Sequence, residues 1–275
     1  MKIVQLLLTV IILSSCSSKQ GYYAIESKNA DALKYESLSR YNNKRLETLI
    51  KAQKPLALCH AGRYNEGLEL LKQKLDKNLN NYEYWNSLGI CYFLDKEYPK
   101  ARTYFNLALA SAKKKKDKAI VLNNISLIYL KKEKYYEGKD YLAKSIELDK
   151  RALTPRFNLA QIYLKFGSYS NAKSELELLI RKNSRDIDIL GALGHLNLMT
   201  GKYKTALSYY NKIPATYKSR DDIATNIAMI YLKLNFLENA KKTIAQADKK
   251  DKLYSLAQVE ILKEVEEKLK IKSEK

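Results

Sequence analysis

Turn-forming residues are scarce in this chain: glycine occurs 9 times and proline 4 times among 275 residues, about one residue in twenty against a usual ~12%. A sandwich or barrel built on tight turns is excluded. Histidine occurs only twice, as His60 and His195, and there is no glycine-rich phosphate loop, no G-x-S-x-G and no H-E-x-x-H. Carboxylates such as Glu133 and Asp140 stand without a partner at acid–base spacing. No catalytic residue, metal ligand or cofactor is therefore expected, and the chain does not read as an enzyme. Arginine is rare as well, 9 against 41 lysines in a chain of net charge +20. Base and phosphate recognition leans on the arginine fork, so nucleic acid is not an expected partner. The positive charge reads either as compositional bias or as a preference for acidic partners and anionic surfaces. Long apolar runs are also missing. The run Ile3 to Leu13, broken by Gln5 and Thr9, would rise ~16 Å as a helix, about half of a hydrocarbon core, which makes a poor membrane span and a good export leader. What the chain does have is 46% apolar and 29% charged residues. That composition can bury a core, yet the length is large for one compact helical core, and a repeat array resolves the tension.

The leader ends in Leu13-Ser14-Ser15-Cys16, which resembles the bacterial lipobox. The resemblance implies that Cys16 is acylated on sulfur and becomes the mature amino terminus, residues 1–15 being a signal peptide and 16–21 a lipidated tether. Ser17 resembles the outer-membrane address of a diderm bacterium, so the expected location is the periplasmic face of the outer membrane. Two further cysteines, Cys59 and Cys91, lie in apolar helical contexts without metal-ligand spacing. They read as buried small hydrophobes, with a disulfide as the alternative in an oxidising periplasm.

Self-comparison carries the fold. Tyr64, Tyr98, Tyr135, Tyr169, Tyr203 and Leu237 fall at intervals of 34, 37, 34, 34 and 34 residues. Three residues after each stands a small residue: Gly67, Ala101, Gly138, Ala172, Ala206 and Ala240. A second small column, Gly89, Ser126, Ala160, Gly194 and Ala228, precedes the anchors by nine. Such columns let two helix backbones approach closely while Tyr and Leu fill the space between repeats. Trp85-Asn86-Ser87-Leu88-Gly89-Ile90-Cys91-Tyr92, followed by Ala101, Phe105 and Ala108, resembles the tetratricopeptide repeat (TPR) throughout. The resemblance covers residues 48–248 and implies an all-α, right-handed superhelical solenoid of about six helix-turn-helix units. N-terminal helices are expected over 22–53 and a C-terminal capping helix and tail over 252–275. Gly62, Gly167 and Gly201 stand two before an anchor, where a left-handed residue closes the first helix of a repeat. Pro99 and Pro214 fit helix boundaries, Thr154-Pro155 reads as an N-cap and first-turn proline, and Pro55 should break the first helix. The 37-residue interval contains Lys113 to Lys116, read as a solvent-facing helix extension, with contact to anionic lipid or glycan as the functional alternative.

A TPR superhelix implies binding of a protein or peptide on a concave surface lined by the first helices. Matching the family's inward positions names Asn86, Ile90, Phe93, Asn123, Leu127, Leu130, Phe157, Gln161, Leu164, His195, Met199 and Met229. That lining is apolar with interleaved amides and suits an amphipathic helix or extended peptide. Phe157, Leu164 and Leu130 are expected to form one apolar patch there, the alternative being that Phe157 is ordinary core. Lys131, Lys165 and Lys233 share one column and read as helix-end cations or as a basic rail along the groove. Repeats behind a lipobox resemble the pilotin-type lipoproteins of type IV pilus assembly and the small TPR lipoproteins that recruit murein hydrolases and proteases. The expected function is a membrane-anchored periplasmic adaptor; the alternative is a basic surface binder of anionic lipid or cell-wall polymer.

Overall fold

In a computed structural model of the chain, the described residues are 49–75, 78–249 and 251–274. The leader, the lipobox cysteine and most of the expected N-terminal helices lie outside them. Thirteen α-helices lie wholly within the described residues, which hold no strand: α1 (Pro55–His60), α2 (Tyr64–Lys72), α3 (Tyr82–Leu94), α4 (Tyr98–Ser111), α5 (Lys115–Lys131), α6 (Tyr135–Leu148), α7 (Leu153–Lys165), α8 (Tyr169–Lys182), α9 (Ile187–Met199), α10 (Tyr203–Asn211), α11 (Asp221–Lys233), α12 (Leu237–Ala245) and α13 (Lys252–Ser273); residues 49–51 are helical as well. A 3-10 turn, Ala215–Tyr217, follows Pro214. None of the described helices is long and apolar enough to cross a membrane.

Odd-numbered helices up to α11 are the first (A) helices of six repeats and even-numbered ones the second (B) helices. Every B helix begins on an anchor residue. The connection between A and B is the same each time. The residue two before the anchor has positive φ, +82°, +69° and +74° at Gly62, Gly167 and Gly201, and +65°, +58° and +62° at Lys96, Glu133 and Asn235. The next N–H reaches back to the carbonyl five residues earlier, as in Glu97 to Tyr92 at 2.9 Å, Lys134 to Tyr129 at 2.9 Å and Lys202 to Asn197 at 2.8 Å. This pairing satisfies the carbonyls orphaned at the end of each A helix. Pro55 does break the first helix: α1 starts on it and is only six residues long. At Thr154-Pro155, α7 starts on Leu153, so Thr154 lies inside the first turn and is not the N-cap.

The chain divides into two compact units, with the division in α7 after Ile162. In the N-terminal unit, α1 packs on α2 and α3, α3 on α4, and α5 on α6. Small residues allow this: a Cβ on Gly89 would collide with the Phe105 ring, and one on Gly138 with Leu130. Cys59 of α1 and Cys91 of α3 are joined by a disulfide, with Cα atoms 5.2 Å apart. The alternative raised from sequence is thus the one observed, because the A helices of two successive repeats lie side by side at that point. In the C-terminal unit, α9 packs on α10 and α11, and α13 covers α11 and α12. Tyr210 takes the role of Phe105, and a Cβ on Gly194 would come within 2.6 Å of its ring. Ala206, Ala228, Ala240, Ile230 and Val265 are fully buried in this core, so α13 is the cap that closes the last repeat.

Candidate partner-binding face

The A helices were expected to show one apolar face to solvent. Instead they are buried almost all round. Val121 to Ile128 of α5 and Asp188 to Leu196 of α9 are continuous buried runs. Of the twelve expected groove residues, Asn86, Ile90, Phe93, Asn123, Leu127, Leu130, Phe157, Leu164 and Met229 are at most 5% exposed, Gln161 and His195 are each 8% exposed, and Met199 is half-buried. The open apolar patch expected from Phe157, Leu164 and Leu130 is corrected: these side chains are core. Leu130 shows the reason, since it fills the space over Gly138 on its own B helix and so points away from a groove. Lys131 and Lys165 are half-buried and Lys233 is exposed, each at the end of an A helix.

The asparagines have a different task from the one the sequence suggested. Asn124 of α5 donates to Asn86 Oδ1 of α3 at 2.9 Å, and Asn158 of α7 donates to Asn123 Oδ1 of α5 at 2.8 Å. Asn123 Nδ2 in turn donates to Asn124 Oδ1 at 3.1 Å. All four are fully buried. The result is an amide ladder from A helix to A helix, in which the residue eleven before an anchor pairs with the residue twelve before the preceding anchor. Burying amides is costly unless they are paired, and only one register pairs them. The signal was in the sequence as two adjacent polar columns, Asn86 and Asn123 beside Asn124 and Asn158.

The C-terminal unit closes with a related contact. Gln258 of α13 donates to Thr225 Oγ1 of α11 at 3.0 Å, Thr225 being twelve before its anchor. Asp221 ties down the same junction by accepting the backbone N–H groups of Lys249 at 2.7 Å and Asp251 at 2.8 Å. Arg220 forms a paired hydrogen bond with Asp222 at 3.0 and 2.9 Å. Between these, Gly191 offers no acceptor at its rung, and Asn226 stands instead beside His195 and Tyr210. Burial pushes the His195 imidazole down to about 4, the neighbouring Asn226 working in the opposite sense. Burial likewise holds His60 at about 4. Burial pushes the Tyr210 phenol up. At neutral pH both histidines are uncharged core groups. Among the described residues no group of three or more His, Cys, Asp or Glu could hold a metal ion.

Partly exposed aromatics decorate the outside. Tyr92 stacks on Tyr104 at 5.2 Å and Trp85 on Tyr104 at 6.0 Å. Arg102 lies over the rings of Tyr129 and Tyr141 at 5.0 and 5.8 Å and donates to the Tyr129 hydroxyl at 2.5 Å. That hydrogen bond lowers the Tyr129 phenol, while burial raises Tyr141.

Paired helices with small columns, left-handed A-to-B turns and helix-to-helix rungs define a helical-repeat protein. Tetratricopeptide repeat models match residues 56–116, 119–151 and 157–220, more than half of the chain, which belongs to the tetratricopeptide repeat family. The anaphase-promoting complex subunit CDC16 of Saccharomyces cerevisiae is 26% identical over 155 residues, covering 54% of this chain but only 18% of that protein's length. Among solved structures, PilF of Pseudomonas aeruginosa superposes with a TM-score of 0.61 at 18% identity over 79% of this chain and 98% of its own. PilW, described as a widely conserved type IV pilus biogenesis factor, gives 0.59 at 16% identity over 79% and 99%. These likenesses establish the fold, an all-α TPR solenoid, whose family typically serves as a non-catalytic scaffold for protein partners.

Proposed function

We propose that the chain is a lipid-anchored scaffold of the bacterial cell envelope that holds a protein partner through its A helices and assists assembly of an envelope complex such as a pilus secretin. The disulfide between Cys59 and Cys91 carries the compartment part of this reading, because such bonds persist in oxidising, extracytoplasmic settings. The fold likeness to PilF and PilW supports the choice of assembly. On the A-helix face, the twelve positions from Asn86 to Met229 act as the floor that sets the spacing of successive repeats. Contact with the partner falls to the less buried residues at the helix ends, such as Met199 and Lys233 in the C-terminal unit. An apolar side chain and a cation at the same register position of successive repeats suit the apolar and acidic residues of an amphipathic helix.

Cys16 tests the anchor. In cells, Cys16→Ser should abolish incorporation of labelled palmitate and leave the leader uncleaved, since only the thiol accepts the diacylglyceryl group. Label retained on the serine variant, or no label on the parent chain, would overturn the anchor while leaving the scaffold reading to be judged by partner contact.

A further inference from the structure

The third repeat carries one helical turn that the repeat does not need. The A helices α3, α7, α9 and α11 each have 13 residues, whereas α5 has 17. The four extra residues, Lys115-Lys116-Asp117-Lys118, add one turn and ~6 Å of length at its N-terminal end. They precede Ala119, the register equivalent of Tyr82 in α3, and so lie beyond the packed part of the repeat. Lys113 and Lys114 lead into this turn, and Lys113 to Lys116 are all exposed. Lys116 shares a crevice with Asp149 and Ala152 of the next B-to-A connection and with Thr154 and Pro155 of the first turn of α7, which brings exposed Lys150 and Arg151 to the same edge. Seven cations therefore gather around two carboxylates, Asp117 and Asp149.

Some surface cations are neutralised along their own helices, as in Lys100 with Glu97, Lys144 with Asp140 and Lys268 with Glu264, while others, such as exposed Lys204 and Lys241, stand singly; this edge differs in the number of cations it gathers. None of the seven at this edge forms an ion pair with another described residue. Lysines at the start of a helix also face the positive end of its dipole, so the turn is placed where cations cost stability rather than add to it. We propose that this prong is a docking surface for a bilayer of anionic phospholipid, a contact separate from the partner-binding face. Two features favour lipid over a soluble polyanion. Six of the seven cations are lysines, which act as point charges and lack the bidentate arginine fork that nucleic acids select. Leu79, 56% exposed, lies on the preceding B-to-A connection and so on the same edge, where an apolar side chain can enter the headgroup layer.

The test uses full-length chain carrying Cys16→Ser, so that no acyl group contributes, with vesicles of phosphatidylcholine containing phosphatidylglycerol and vesicles of phosphatidylcholine alone. The apolar leader is common to all variants and cancels in the comparison. The parent should bind the anionic vesicles more tightly and release them as salt rises. Joint Lys→Gln replacement at 113, 114, 115 and 116 should weaken anionic-vesicle binding by about tenfold or more, with an unfolding midpoint no lower than the parent's, because the side chains are exposed and sit at the positive end of the helix dipole. Joint Lys→Arg replacement should keep it. Equal binding of parent and Gln variant, equal binding of both vesicle types, or binding of soluble heparin without binding of anionic vesicles would each overturn the proposal.

Discussion

Asn123→Ala removes the central amide of the ladder. Asn123 accepts from Asn158 at 2.8 Å and donates to Asn124 at 3.1 Å, so the substitution takes away one partner from each of two fully buried side chains. A buried polar group deprived of its partner costs about 1–3 kcal/mol, which puts the loss at about 2–6 kcal/mol for the pair. Against a domain stability of about 5–15 kcal/mol the effect is large. The effect should also be local, because the rungs join α3, α5 and α7 of the N-terminal unit. The assay is urea unfolding followed by hydrogen exchange resolved along the chain, since a chain of two units need not unfold in one step. Exchange should rise first in α3, α5 and α7, with α9 to α12 little changed. Adding Asn158→Ala removes the amide that Asn123→Ala left short of an acceptor. The double variant should then lose less than the sum of the two single losses, with a coupling of about 0.5–3 kcal/mol. A loss below about 1 kcal/mol for Asn123→Ala, or strict additivity in the double variant, would refute the claim that the ladder sets the register of these repeats.

Reduction of the Cys59–Cys91 bond, or a Cys59→Ala/Cys91→Ala pair, opens a loop closed across 32 positions and should cost about 4 kcal/mol by loop entropy, with early exchange confined to α1 and α2; an unchanged unfolding midpoint under reducing agent would contradict this. Phe157→Ala should lower stability by about 3–5 kcal/mol, since the ring is 1% exposed, and a variant that keeps the parent's unfolding midpoint would restore the open-patch reading. Acid should weaken both units. His60 and His195 sit at about 4 in the fold against an ordinary 6.5, so the unfolded chain takes up protons first as pH falls. Stability that is whole above about 6.5 is lost progressively toward pH 4, by up to about 3 kcal/mol per histidine. Urea midpoints at pH 7 and 4.5 should differ accordingly, and His195→Gln should remove the part arising in the C-terminal unit; a flat profile would contradict the burial argument.

The period and the helix starts were open to reading because they depend on residue size alone. A small residue three after Tyr98 or Tyr203 is needed wherever two helices touch, and a residue at positive φ is needed wherever α3 or α9 must stop, so both recur in register. Lys96, Glu133 and Asn235 take the same left-handed turn as the glycines. They escaped notice because their residue types do not announce it. The disulfide was only an alternative, since 32 positions of separation say nothing about two A helices lying side by side. The largest departure concerns the A helices. Family position predicts which side chains point inward but not whether they meet solvent, and Leu130 over Gly138 or Asn123 between Asn124 and Asn158 were spoken for by the array itself. The sequence marks the extra turn of α5 as a charged helix extension, which it is; which carboxylates the fold brings near it is not written in the sequence.

The claim that the A-helix face holds a protein partner is tested most directly by site-specific photocrosslinking in intact cells. A photoreactive residue replaces either Met199, half-buried at the end of α9, or Lys173, exposed on the B helix α8. The account predicts a discrete crosslinked species of higher mass from position 199 and none from position 173. The same species from position 173 with none from position 199, or no crosslinked species from position 199 at all, would contradict it.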